Sequence, residues 1–181
     1  MEGALDADLL PKQVAFGIKS AYPFQRFVNR FEKEGEIPVW YPWHYVLLTV
    51  KMDTYLKKGM SYNDFVAVDG LRPIRERVGS MPQQKGTMNE DKNTIKLESK
   101  ITPEEAEAEA VDLLKGIVLS RNKLLKDYDI EVKQSGLFYL KTYVVKLKNR
   151  QQGDWLFIDS HFNTTAKLKM RPEVFSHIVN E

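Results

Sequence analysis

Cysteine is absent from this 181-residue chain, which excludes disulfides, thiolate metal sites and a cysteine nucleophile. An excess of one charge is also lacking. The 27 Lys and Arg stand against 25 Asp and Glu, a formal net charge of +2, without the clustered cationic surplus of a nucleic-acid binder. No apolar run approaches the roughly 20 residues of a membrane-spanning helix. Neither Gly-x-x-x-x-Gly-Lys nor Gly-x-Gly-x-x-Gly occurs, so no phosphate-cradling loop and no nucleotide cofactor is expected. The histidines His44, His161 and His177 form no i, i+4 pair and no His-Glu-x-x-His, so no metal centre is expected either. The first residues, Met-Glu-Gly-Ala-Leu-Asp-Ala-Asp, show no basic segment leading into an apolar one. The expectation is a cytoplasmic protein, the alternative being a piece of a cell-envelope protein.

What is present is enough apolar material, 43% of residues, to build a packed core. Residues 9–34 read as helical. Pro23 interrupts them, and Phe24, Phe27, Val28 and Phe31 follow at helical spacing as a core-facing stripe. Gly35 is placed to cap that helix, with Pro38 beyond it. Residues 39–50 are β-branched and aromatic on both faces, which predicts a strand covered on both sides. Pro42 in its midst demands an edge or a bulge, because proline cannot donate to a ladder. Residues 65–70 read as the antiparallel partner and residues 74–78 as a third strand. Residues 79–100 are rich in Gly, Pro, Asn and Gln and read as a linker, with a short edge strand around Ile95 and Leu97.

The second half opens on a strong local signal. Thr102, Pro103 and Glu105 make a capping box with proline in the first turn. The glutamates that follow suit a helix N-terminus, and the dipole explains them without a metal. Ala106, Ala110, Leu113, Leu114, Ile117, Leu124 and Leu125 give the buried stripe of a helix expected to end near Lys126. Residues 137–148 and 155–160 then repeat a strand pair across a loop containing Gly153. Residues 165–170 can add a strand, and Val174, Phe175, Ile178 and Val179 suggest a short terminal helix.

The two halves align. A shift of 98 places Trp40, Tyr41, Tyr45 and Val46 on Phe138, Tyr139, Tyr143 and Val144, and a shift of 90 places Phe65, Val68 and Asp69 on Trp155, Ile158 and Asp159. This order, with Ala106 and Ala110 in a helix, Tyr143-Val144-Val145 in one strand and Ile158-Asp159 ending the next, resembles the PepSY-type, cystatin-like modules of bacteria. Tyr45-Val46-Leu47 and Val68-Asp69-Gly70 carry the resemblance in the first half. It implies an α+β fold of two repeated helix-plus-antiparallel-sheet modules, residues 1–80 and 102–181 around a linker at 81–101. It also implies a non-catalytic module that binds a protein or peptide.

Chemistry is sparse. Asp69 and Asp159 occupy equivalent places. They either cap their turns or, with His44 or His161 in a cleft between the halves, serve a hydrolase. Lys141, Lys146, Lys148 and Arg150 near Tyr139 and Tyr143 imitate a single-strand-binding sheet, but lysines on a strand also block edge pairing, and nucleic acid is not expected as a partner. The aromatic group Trp40, Tyr41, Trp43 with His44 is the candidate binding surface, provided that it is exposed. Its other reading is core.

Overall fold

The computed structural model of the chain describes residues 2–5, 32–80, 94–148, 154–159 and 164–178. Most of the expected N-terminal helix, with its phenylalanine stripe, lies outside these residues, as do His161 and residues 81–93 of the expected linker. Among the described residues the protein is mixed α and β, mostly antiparallel sheet with two helices. The strands are β1 (Glu2–Leu5), β2 (Glu32–Thr54), β3 (Met60–Asp69), β4 (Arg75–Val78), β5 (Ile95–Lys96), β6 (Leu125–Lys148), β7 (Asp154–Asp159) and β8 (Thr164–Lys167). The helices are α1 (Pro103–Arg121) and α2 (Pro172–Ile178). The chain divides into two compact units. Unit 1 draws on Met1–Gly3, Pro42–Lys85 and Glu98–Tyr139, and unit 2 on Ala4–Tyr41, Gly86–Leu97 and Leu140–Glu181.

In unit 1 the strand order is β4-β3-β2-β6. Trp43 faces Asp69 across the β2–β3 ladder and Met52 faces Met60, so one register holds over the whole hairpin. It puts Val46, Leu48 and Val50 on the same face as Val66 and Val68, because directly opposed residues share a face. Helix α1 covers that face with Ala106, Ala110, Leu114 and Val118. Alanine at the first two positions lets the helix sit close, and each fully buried valine or leucine contributes about 1.5–3 kcal/mol. Tyr128, Ile130 and Val132 of β6 extend the cluster. Ser135 donates to Glu107 Oε1, and Lys51 and Lys133 hold Glu131 between them. Those two lysines keep the exposed Glu131 carboxyl below its ordinary pKa, Lys133 chiefly.

In unit 2 the order is β2-β6-β7-β8, with β5 added parallel to β2 through Val39 opposite Ile95. Tyr143 faces Ile158 and Phe157 faces Ala166. The Thr142 hydroxyl donates to the Val39 carbonyl at 3.1 Å, satisfying a buried polar group. Tyr41 and Phe157 pack as tilted rings 5.6 Å apart, and the Arg171 guanidinium lies 4.8 Å from the Phe157 centroid. Leu168, in a 3-10 turn after β8, and Val174 of α2 are buried as well.

Several expectations change. Strand β2 begins at Glu32, so Gly35 lies in a strand and caps no helix. The strands expected over residues 39–50 and 65–70 are both longer, β2 running on to Thr54 and β3 starting at Met60, because Met52, opposite Met60, still belongs to the ladder. Helix α1 stops at Arg121 rather than near Lys126. Asn122 ends it, its backbone N–H and its side-chain amide both donating to the Val118 carbonyl. Leu124 is therefore exposed, and Leu125 opens β6. The residue-level repeat also slips. Tyr45 pairs with Ala67, so shifts of 98 and 90 would set Tyr143 against Phe157, yet Ile158 stands there. A one-residue offset inverts which side chains share a face.

Candidate functional site

The aromatic group expected as a binding surface is buried. Trp40 is 4%, Tyr41 1%, Trp43 4% and His44 2% exposed. In unit 2, the Lys141 ammonium lies 5.9 Å from the Trp40 ring centroid, and the Tyr41 hydroxyl points at Glu173 Oε1, 3.5 Å away. Trp43 and His44 belong to unit 1. Their aromatic and imidazole surfaces serve packing, and none is presented to solvent as a patch.

His44 is the one buried histidine among the described residues. Its Nε2 lies 2.9 Å from Ser99 Oγ, whose hydroxyl also lies 3.0 Å from the Ile101 carbonyl and 3.3 Å from that of Gly70. Burial lowers the imidazole pKa, and a hydrogen bond with the Ile101 backbone opposes the shift. These bonds tie the segment leading into α1 against the β2–β3 hairpin. Asp69 takes no part in a triad with them. The register places it on the face of Trp43, opposite to His44. Its Oδ1 accepts the N–H groups of Leu71 and Arg72 at 2.9 and 3.2 Å, and its Oδ2 accepts from Arg72 Nε at 3.1 Å. Asp69 thus caps its own turn. Asp159, in unit 2, ends β7 opposite Thr164.

That turn builds a cleft that sequence reasoning missed. A hollow of about 310 Å³ in unit 1 opens between the β3–β4 turn and the first turns of α1. Its apolar lining is Val68, Leu71, Pro73, Ile74 and Ile101. The charged groups at its rim are committed. Arg75 bridges Glu109 and Asp112, the latter at 2.9 Å, and Arg72 grips Asp69. Glu105 accepts the Thr102 N–H at 2.8 Å in the capping box. The lining holds no Ser, Thr, Tyr or His, hence no hydroxyl or imidazole for nucleophilic or general-base chemistry. The volume suits one or two apolar side chains, at the small end of ligand pockets. Beside it β4 is terminal in the strand order of the described residues, with Glu76 and Arg77 exposed. The legible signal was Leu71-Arg72-Pro73-Ile74, a turn unusually apolar for its place after Asp69-Gly70.

No group of three or more His, Asp or Glu among the described residues could hold a metal ion. No described helix is long and apolar enough to cross a membrane. No protein-family model, curated protein or solved structure matches this chain.

Proposed function

We propose that this protein is a non-catalytic binding module whose partner is a protein or peptide engaged at β4 and the adjoining cleft. An extended segment adds to the outer edge of β4, which is terminal in the strand order of the described residues, and one of its apolar side chains enters the hollow over Ile74 and Ile101. The single observation that carries this reading is an apolar cleft of about 310 Å³, ringed by charges already paired, next to a terminal strand. Such a site rewards shape and backbone pairing, and its lining has no hydroxyl or imidazole.

The reading extends to architecture. The helix-on-sheet layering of PepSY-type, cystatin-like modules is what unit 1 offers in support, α1 lying on β2 and β3, and use of that module twice belongs to the proposal. The correspondence is one of strand order, since the ladder register differs between the two hairpins. The helix that serves the first hairpin comes from the second half of the chain.

Selection of a displayed random peptide library on the full chain tests the binding reading. An enriched peptide titrated into isotope-labelled protein is expected to shift the amide resonances of residues 71–78 and Ile101. Ile74→Asp should weaken that peptide about tenfold or more while leaving the circular dichroism unchanged. Peptides that bind Ile74→Asp as well as wild type, or that map elsewhere, would defeat it.

A further inference from the structure

The far end of unit 1 carries a second surface, unrelated to the cleft. The loop joining β2 to β3 exposes Tyr55 at 75% and Leu56 at 83%, followed by Lys57, Lys58 and Gly59. Large apolar side chains exposed together at a loop tip mark a candidate interaction surface. The loop is rigidly built. Thr54 N–H donates to the Lys57 carbonyl at 2.8 Å, Lys57 N–H returns to Thr54 Oγ1 at 3.0 Å, and Gly59 N–H donates to Asp53 Oδ1 at 2.7 Å. Gly59 has φ of 65°, a left-handed conformation that closes the turn at no side-chain cost.

A second loop sits against the first. Tyr55 N–H donates to the Leu124 carbonyl at 3.0 Å, so the α1–β6 connection lies alongside the tip. Leu124 is 49% exposed and is flanked by the exposed Lys123 and Lys126. Two loops therefore present Tyr55, Leu56 and Leu124 together with four lysines. Among the described residues none of these lysines makes an ion pair. Asp53, Asp127 and Asp129 line a shallow groove next to the two loops, and Asp53 and Asp127 each accept from a backbone N–H, so the four lysines outnumber the three carboxylates beside them.

We propose that this two-loop tip docks on a membrane surface rich in anionic lipid. Leucine and tyrosine on a preorganised tip suit insertion to the depth of the headgroups, where tyrosine is favoured, and a collar of lysines complements acidic headgroups. A nucleic acid would call for aromatic stacking platforms in a basic groove, and Leu56 and Leu124 offer none. An acidic polypeptide would use the lysines and leave the leucines wet.

Sedimentation of the full chain with vesicles tests this. Binding is expected to vesicles of phosphatidylcholine mixed with phosphatidylglycerol, to weaken as salt is raised, and to be absent with phosphatidylcholine alone. Leu56→Ser should lower partitioning about tenfold at constant salt. Lys57→Gln with Lys58→Gln should lower it by a similar factor. Both variants alter only exposed side chains, and unchanged thermal unfolding verifies their folding. Failure to bind the anionic vesicles overturns the proposal. So does undiminished binding by Leu56→Ser, since a purely ionic surface needs no leucine. Retention on polyglutamate or RNA without vesicle binding also overturns it.

Discussion

The carbonyl of Pro42 accepts the Gly70 N–H at 3.0 Å, and a Cβ added to Gly70 would lie 2.9 Å from that same oxygen. The contact closes the open end of the β2–β3 hairpin, just beyond the Trp43–Asp69 pair. Such a Cβ would also meet Pro42 Cβ and Ser99 Oγ, each at 3.0 Å. Glycine is required here for close approach.

Gly70→Ala should therefore destabilise the protein by about 1–3 kcal/mol, since a proline ring and a backbone oxygen cannot yield as a flexible side chain would. The midpoint of urea unfolding measures it. A midpoint equal to that of wild type would show that the hairpin end relaxes freely.

Acid should weaken the fold through His44. Its folded pKa lies below the ordinary 6.5, chiefly because burial disfavours the charged ring. As pH falls through 6.5, the unfolded chain takes up this proton first, so stability present in full above that value is lost on going down. Between about pH 7 and about pH 5.5 the thermal midpoint of wild type should drop, and that of His44→Asn should drop less. Parallel curves for the two proteins would remove His44 as the cause.

Helix α1 and the β2–β3 hairpin, though far apart in sequence, should open as one. Ala110 is fully buried against the hairpin in the cluster that includes Val46 and Val66. Ala110→Asp buries an unpaired carboxylate and should cost about 3 kcal/mol or more. Hydrogen exchange should then speed up in α1 and at Val46, Leu48 and Val66 alike. Loss of protection in α1 alone would contradict the shared core.

The capping box offers a smaller, local test. Thr102 Oγ1 accepts the Glu105 N–H at 3.2 Å, while Glu105 Oε2 accepts the Thr102 N–H at 2.8 Å. Thr102→Ala should cost about 1 kcal/mol, and the denaturation midpoint reads it directly.

How much of this was legible in the residues depends on how far each feature reaches along the chain. The start of α1 was evident from Thr102, Pro103 and Glu105, because a cap involves only its own first turn. Strands β4 and β7 lie within about a residue of the expected 74–78 and 155–160, and Asp69 caps its turn through neighbours two and three residues on. The end of α1 was missed. Leu124 and Leu125 continue an apolar spacing, and only the contest between helix and the β6 ladder decides that they leave it.

The order of strand, turn and helix was thus set by short-range preferences: β-branched and aromatic residues on a pleat, a threonine cap, an aspartate at a turn. The burial of Trp40, Tyr41, Trp43 and His44, the seating of a late helix on an early hairpin, and the face that Tyr143 shares with Ile158 were decided only by tertiary structure. An apolar side chain states that it will be covered. Its partner is chosen by which distant surfaces bury the most together in one register, and no neighbour along the chain carries that information.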